Sequence, residues 1–245
     1  MSALDAFSAA VERFELVEPP LEWSPEAEEA ARRSVEETGL LLFGEVHGVV
    51  EVPGLILALA RRLGLRGLAL EWSPGLRPLV ERFLATGELS LDGLEPLTVE
   101  QLCCGDGRVT AGHFALLRVL RPELLLLFSG ATGPTDWSGR DLVMARLFLR
   151  EWDGETPTLV AAGRLHTELA DHRHGRPLGV HLAAARPGVA AVRLECRSGT
   201  FTNLGVRRIP GLPGRGPARL AREAGGLVLE LPRATAATVP ALPDG

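Results

Sequence analysis

The sequence predicts an α/β protein in which a mostly parallel β-sheet carries helices on both of its faces. Three observations support this fold class. Short continuous apolar runs recur along the chain, and such runs are typical of strands buried on both faces. Segments with helical periodicity alternate with these runs, which favours parallel pairing through crossover helices. With 245 residues and 46% hydrophobic content, one buried core is feasible, so we expect a single domain over residues 1–245.

Residues 24–71 predict a helix followed by a β-α-β unit. Ser24 is the expected N-cap of the first helix, Pro25 its first residue and Gly39 its C-terminal stop. We expect the crossover of the β-α-β unit to be right-handed. The unit contains a buried strand, an amphipathic helix and a second buried strand, at residues 40–43, 53–63 and 67–71.

An insertion precedes the third strand. We expect residues 74–112 to form a helical and loop insertion between the second and third strands, with a helix over residues 76–85 and a polar lid over residues 87–107. Strands and helices then alternate again. The expected helices are residues 113–120, 141–152 and 181–185, and the expected strands are residues 124–128, 158–162, 190–194 and 227–231.

Capping and turn residues predict one helix start and two irregular segments. Residues 138–141 resemble a capping box, so the helix that follows is expected to begin at Asp141. Residues 205–218 contain Pro or Gly at every few positions and are expected to form a surface loop. Residues 240–245 are expected to form a loose tail.

Composition and charge argue against several classes of partner. The formal net charge is −5, so the chain lacks the concentrated basic surface that nucleic-acid binding requires. All 26 basic residues are Arg and Tyr is absent, a bias typical of GC-rich bacterial genomes, so abundant Arg alone does not indicate a phosphate site. No apolar run approaches the roughly 20 residues of a membrane span, so no membrane partner is expected.

Cysteine usage and the N-terminus predict a cytoplasmic protein. Cys103, Cys104 and Cys196 lack the spacing of a zinc site or a disulfide framework, which favours reduced thiols. Residues 1–21 lack both the uninterrupted apolar segment of a signal peptide and a lipidation cysteine. The sequence carries no signal for an oligomeric state.

Four ionisable residues follow the expected strands. Glu45 and His47 follow the first strand, Glu71 closes the second, and His166 follows the strand at residues 158–162. In parallel sheets, ligands bind beyond the carboxyl ends of the strands, where the loops converge. Two carboxylates and two imidazoles in one crevice shift one another's pKa values apart, which provides an acid and a base at neutral pH. The sequence therefore predicts a shared active site.

Several motifs resemble the erythromycin esterase family, over roughly residues 38–195. That family belongs to a superfamily with the bacterial haem-binding uptake proteins and the Tiki metalloproteases. Val46 stands alone between the Glu and the His of the first motif, a spacing more similar to the haem-uptake branch. The motifs are Gly44-Glu45-x-His47-Gly48 with Glu51, then Glu71, Arg140-Asp141 at a helix start, and Gly163-x-x-His166.

The resemblance implies hydrolysis of an ester or lactone by activated water, without a covalent serine or a cofactor. It implies that His47 is the general base, that Glu45 orients it, and that Glu71 and His166 position the water or stabilise the charged intermediate. A small-molecule substrate is the expected partner. Arg140 and Glu51 are the expected substrate-binding residues, although a salt-bridged helix start explains Arg140 equally well.

Two alternatives use the same residues differently. In one, His47, His166, Glu45 and Glu71 hold Zn²⁺ or Mn²⁺, and the metal-bound water is the nucleophile. The Tiki branch favours this alternative, whereas the absence of a His-Glu-x-x-His motif disfavours it. In the other, the chain is a haem-binding or small-ligand-binding protein in which His47 or another His is an axial ligand.

The remaining candidates have ordinary structural explanations. Ser129 follows a strand but is not part of a Gly-x-Ser-x-Gly elbow, so we expect a loop serine. His113 is expected to be a partly buried helix side chain. His172 and His174 are expected to lie in a solvated turn, and Cys103 and Cys104 in the core or the lid.

Overall fold

A computed structural model describes residues 3–129 and 136–240 of the chain. Its strands are β1 Leu21–Trp23, β2 Leu40–Glu45, β3 Gly67–Leu70, β4 Leu124–Leu127, β5 Thr158–Gly163, β6 Ala190–Cys196, β7 Gly199–Thr202, β8 Val206–Ile209, β9 Ala218–Glu223 and β10 Gly226–Leu231. Its α-helices are α1 Ala3–Arg13, α2 Pro25–Thr38, α3 Val52–Leu63, α4 Arg77–Thr86, α5 Pro96–Leu102, α6 Ala111–Leu120, α7 Trp137–Glu151 and α8 Leu178–Ala185. Short 3₁₀ turns occupy Pro74–Leu76 and Arg164–Thr167.

Eight strands form one sheet in the order β1-β9-β10-β6-β2-β5-β3-β4. The six strands from β10 to β4 are parallel, whereas β9 runs antiparallel to β10. The prediction of a mostly parallel α/β sheet is therefore confirmed. β5 lies between β2 and β3, so the β-α-β unit of residues 40–71 skips one strand position.

Helix ends in the first half of the chain follow the sequence signals. The Ser24 hydroxyl accepts a hydrogen bond from the Ala27 amide, as expected for an N-cap. Gly39 and Gly64 end α2 and α3 with left-handed φ angles of 76° and 66°, a conformation that favours glycine. Capping residues thus fix both helices next to the strands that follow them.

The hydrophobic core fills both faces of the sheet. In β2, Leu41 and Phe43 contact the cluster formed with α1, α3 and α6, whereas Leu40 and Leu42 contact the cluster formed with α7 and α8. All four side chains are fully buried, which explains why β2 is a continuous apolar run. In the described residues, no helix is long and apolar enough to cross a membrane.

The predicted start of α7 was wrong. The helix begins at Trp137, and Asp136 is its N-cap, with the Asp136 carboxylate accepting from the Gly139 amide. The Ser138 hydroxyl instead accepts a hydrogen bond from the Arg176 amide. Asp141 therefore lies inside the helix, with no capping role.

Several elements near the chain ends were not predicted. The expected loop over residues 205–218 contains β8, which pairs with β7, and β9 begins at its end. α1, β1 and β9 were also missed. β1 has only three residues, whereas α1 has the helical spacing of Phe7 and Val11, a signal that the prediction did not use. The insertion at residues 74–112 contains α4 and α5. The described residues do not include residues 241–245, which are most of the predicted tail. They also do not include Gly130, which follows Ser129 after β4.

We predict that Gly44→Ala destabilises the protein by about 1 to 3 kcal/mol, because overpacking in a tight core costs this much. A Cβ on Gly44 overlaps the Thr167 hydroxyl and lies 3.1 Å from the Arg164 Cα, so the 3₁₀ turn must move away from β2. Urea unfolding measures the change. Gly225→Ala is the control, since its Cβ meets nothing closer than 3.9 Å. Equal stabilities of the two variants contradict the prediction.

Candidate active site

Three neighbouring strands position the four predicted site residues. β2 ends at Glu45, which is in register with Gly163 at the end of β5, and Leu70 at the end of β3 pairs with Ala161. Glu71 follows β3 directly, and the 3₁₀ turn after β5 carries His166. Glu45, His47, Glu71 and His166 therefore lie at one edge of the sheet, as their positions after strands predict.

These four residues and Asp141 form a continuous acid–histidine chain. His47 Nδ1 lies 2.7 Å from Glu45 Oε1, and His47 Nε2 lies 3.6 Å from Glu71 Oε2. Glu71 Oε1 lies 3.5 Å from His166 Nε2, and His166 Nδ1 lies 2.8 Å from Asp141 Oδ1. The three carboxylates are buried, and His47 has the largest exposed side-chain fraction of the five, 17%. Glu71 is thus flanked by the two imidazoles.

His47 is positively charged at neutral pH. Burial alone lowers the pKa of His47, but hydrogen bonding and attraction from Glu45 and Glu71 outweigh it and raise the pKa to about 10. Burial also raises the pKa of Glu45, yet His113 and His47 lower it to about 2. Burial raises the pKa of Glu71, but attraction from His166, hydrogen bonding and attraction from His47, and the charge of Arg108 outweigh it and lower the pKa. His47 therefore keeps its proton at neutral pH.

His166 has the opposite proton arrangement. Arg140 Nη2 lies 2.9 Å from His166 Nε2. A guanidinium only donates hydrogen bonds, so this contact requires a lone pair on Nε2. The proton then resides on Nδ1, which donates to the Asp141 carboxylate. In this contact His166 accepts at Nε2 and donates from Nδ1, a tautomer that Asp141 fixes, and Asp141 also accepts from the Leu178 amide.

Glu71 has two further partners. Its Oε2 accepts a hydrogen bond of 2.7 Å from the Gly163 amide. Arg108 Nε lies 3.1 Å from its Oε1, and Arg108 also pairs with Asp106. Gly163 has to lack a side chain, because a Cβ there lies 2.7 Å from His47 Nε2. The backbone amide of Gly163 and the side-chain cations together compensate the negative charge of the buried Glu71 carboxylate.

Four residues of the site were not predicted for the roles they have. His113 is fully buried rather than partly buried, with its Nε2 3.7 Å from Glu45 Oε2 and its Nδ1 2.9 Å from the Thr110 hydroxyl. Arg108 belongs to the expected insertion over residues 74–112. Trp137 stacks on His166 with ring centres 4.5 Å apart and planes 5° from parallel. Asp141 alone had a sequence signal, because it is part of the Arg140-Asp141 motif.

A cavity of about 510 Å³ opens over the acid–histidine chain, a volume within the usual range of ligand sites. Its polar lining includes Glu45, His47, Arg108, Arg140 and His166. Its apolar walls are Val46, Trp137, Leu165, Phe201 and Ile209. A second cavity of about 250 Å³ lies beside it, shares Arg108 and Arg140, and reaches Glu71 and Ser129.

The two expected substrate-binding residues are in different places. Arg140 lines the larger cavity, where its guanidinium lies 4.7 Å from the centre of the Trp137 ring. Glu51 does not line that cavity; its carboxylate accepts a hydrogen bond from the Thr235 amide. The ring centres of His172 and His174 lie 5.5 Å and 5.6 Å from the ring centre of Trp137. Arg140 is therefore part of the candidate site. Glu51 is not, and its hydrogen bond connects the loop after β2 to a segment near the C-terminus.

The residues of the site are not arranged to bind a metal ion. Over residues 3–129 and 136–240, no group of three or more His, Cys, Asp or Glu side chains is arranged to hold a metal ion. Arg108 and Arg140 point positive charge at Glu71 and at His166 Nε2, the atoms that would bind a cation.

Comparisons with known proteins give weak structural similarities. No protein-family model matches the chain, and no curated protein matches it. A solved structure described as "Bacterial protein toxins" has a TM-score of 0.43 and 14% sequence identity; the match covers 94% of this chain and 44% of that one. The type III effector HopBA1 has a TM-score of 0.45 and 14% identity, covering 87% of this chain and 95% of that one. The chain thus spans less than half the length of the first structure.

We predict that His47 makes stability fall at alkaline pH. Between pH 6.5, the ordinary His pKa, and about 10, folded His47 keeps a proton that the unfolded chain has lost. The contribution of His47 to the unfolding free energy therefore decreases by about 1.4 kcal/mol per pH unit as pH rises. Urea titrations across this range measure the slope.

His47→Gln is expected to remove this part of the slope, whereas His174→Gln, at an exposed position, keeps it. The prediction is wrong if the His47→Gln variant and the wild type lose stability equally between these pH values.

Proposed function

We propose that this chain is a hydrolase that cleaves an ester or lactone by activated water, as its resemblance to the erythromycin esterase family implies. The observation that carries the proposal is the difference between the two histidines beside Glu71, because His47 lies between two carboxylates whereas His166 Nε2 contacts the Arg140 guanidinium. A charged imidazole and a neutral imidazole in one pocket supply a general acid and a general base at the same pH.

In this proposal His166 is the base, and the base role expected for His47 moves to it. Asp141 holds the Nδ1 proton of His166, so the Nε2 lone pair is directed toward Arg140 and the cavity. An aspartate that fixes the tautomer of a catalytic histidine has this function in serine hydrolases. The substrate draws Arg140 away from Nε2, and a water molecule takes its place and loses a proton to His166.

The cations of the cavity stabilise the charge that develops. Water attacks the carbonyl carbon, and the resulting oxyanion is stabilised by the Arg108 guanidinium group. His47 then donates its proton to the departing alkoxide, so the products are a carboxylic acid and an alcohol. Glu45 and Glu71 keep His47 charged for this step. Trp137 restricts the rotation of the His166 ring by stacking on it.

Water is the nucleophile that suits the lining of the cavity. Among the described residues that line the larger cavity, Cys196 alone is a Ser, Thr or Cys. Burial raises the pKa of the Cys196 thiol to about 12, so little thiolate forms at neutral pH. Ser129 lines the smaller cavity and has no His hydrogen-bond partner among residues 3–129 and 136–240. Neither Cys196 nor Ser129 is therefore activated to form a covalent intermediate.

We predict that the purified protein hydrolyses an aryl ester and that Asp141→Asn lowers kcat by about 10²- to 10⁴-fold, because the amide has no charge to stabilise the imidazolium and one acceptor oxygen where the carboxylate has two, for His166 Nδ1 and the Leu178 amide. Turnover is measured at pH 7 with and without EDTA, and EDTA is expected to leave it unchanged. Asp171→Asn, an exposed carboxylate paired with Arg176, is the matched control.

Circular dichroism shows that each variant is folded before its rate is compared. Unchanged turnover in folded Asp141→Asn protein contradicts the base assignment, and loss of turnover with EDTA supports the metal alternative instead.

We further predict that kcat/KM decreases at alkaline pH, which gives its pH profile an alkaline limb. Activity needs charged His47, whose pKa is about 10, so kcat/KM for an alkyl ester is expected to fall as pH rises through this value. His47→Gln is expected to lower the maximum by about 10²-fold or more and to abolish this limb. Product formation measured by chromatography between pH 7 and 11 tests this, and a limb that persists in the variant excludes His47 as the acid.

A further inference from the structure

The surface of the larger cavity is cationic although acids surround it. Glu45 and Glu71 are at most 5% exposed, and Asp141 is fully buried. In contrast, the Arg108 and Arg140 side chains are each 33% exposed, and both line the cavity. A ligand in the cavity therefore meets guanidinium groups, while the carboxylates lie behind them.

Arg164 adds a cation whose charge is not compensated. It is the first residue of the 3₁₀ turn after β5, is exposed, and lines the same cavity. Its charge acts to lower the pKa of the Cys196 thiol, which lines the cavity from β6. In the described part of the chain, no carboxylate forms an ion pair with Arg164. By comparison, Arg32 and Arg33 on the surface of α2 each pair with a glutamate.

Arg140 is also poorly compensated by negative charge. Its nearest carboxylate oxygen, Asp141 Oδ1, lies 3.9 Å from Nε, and its short contact is with His166 Nε2. The position of these two arginines, rather than the abundance of Arg in the sequence, indicates a preference for negative charge. Trp137, Phe201 and Ile209 provide an apolar wall beside them.

We propose that the substrate is an ester that carries an anionic group, a carboxylate or a phosphate, together with an apolar body. Arg164 and Arg140 bind the anionic group, because guanidinium donors match these oxygens and charge-assisted hydrogen bonds are strong. The apolar body lies on the wall of Trp137, Phe201 and Ile209. This inference rests on the proposed ester hydrolysis for the reaction, but anion binding is measurable without it.

The kinetic test compares three 4-nitrophenyl esters of equal acyl length at pH 7. One ends in a carboxylate, one in a methyl group and one in a trimethylammonium group. We expect kcat/KM about tenfold higher for the carboxylate ester than for the methyl ester, as one charge-assisted contact provides. Arg164→Gln is expected to reduce this preference to less than twofold, and Arg164→Lys to keep part of it. Arg33→Gln, the same charge change on α2, keeps it entirely.

A binding test separates this inference from the hydrolysis proposal. Calorimetric titration with glutarate and with phenyl phosphate measures anion affinity directly and shows which anion is preferred. Binding of either that weakens in Arg164→Gln but not in Arg33→Gln supports the anion site, even if no ester is cleaved. A preference for the methyl or trimethylammonium ester overturns the inference, and so does anion binding that is absent or unaffected by Arg164→Gln.

Discussion

The candidate site depends on the buried carboxylate of Glu71. An ionised carboxylate in a protein interior is costly unless cations and hydrogen-bond donors surround it. Glu71 receives the Gly163 amide, the Arg108 guanidinium and the charged ring of His47, each from a different segment of the chain. Holding this one carboxylate in its ionised form therefore fixes the ends of β3 and β5, the loop after β2 and the loop before α6 relative to one another.

The order of the strands makes this arrangement possible. β5 lies between β2 and β3, so Gly163 sits between Glu45 and Glu71 at the edge of the sheet. Two glycines allow close approach there. Gly44 lets the turn that carries His166 lie directly on β2, and Gly163 leaves room for His47 Nε2. Dense packing thus sets the distances between the ionisable groups.

His47 and His166 differ in the groups that contact their ring nitrogens. His47 has a carboxylate beside each ring nitrogen, which stabilises the imidazolium. His166 Nε2 also lies 3.5 Å from Glu71 Oε1, but its shorter contact, 2.9 Å, is with the Arg140 guanidinium, which donates to a lone pair. One network of acids therefore gives two imidazoles with different partners, and the acid–base chemistry we propose follows from this difference.

The sequence alone determined the buried strands β2 to β5, the capped helices α2 and α3, and the placement of Glu45, His47, Glu71 and His166 after strands. Local patterns determine these features, since apolar runs, caps and glycines act over a few residues. The tertiary structure decided the strand order, the role of Asp141 and the contact of His113 with Glu45, because these join segments far apart in the chain. The protonation of each histidine was likewise decided there, since it depends on which charges the fold brings to its two nitrogens.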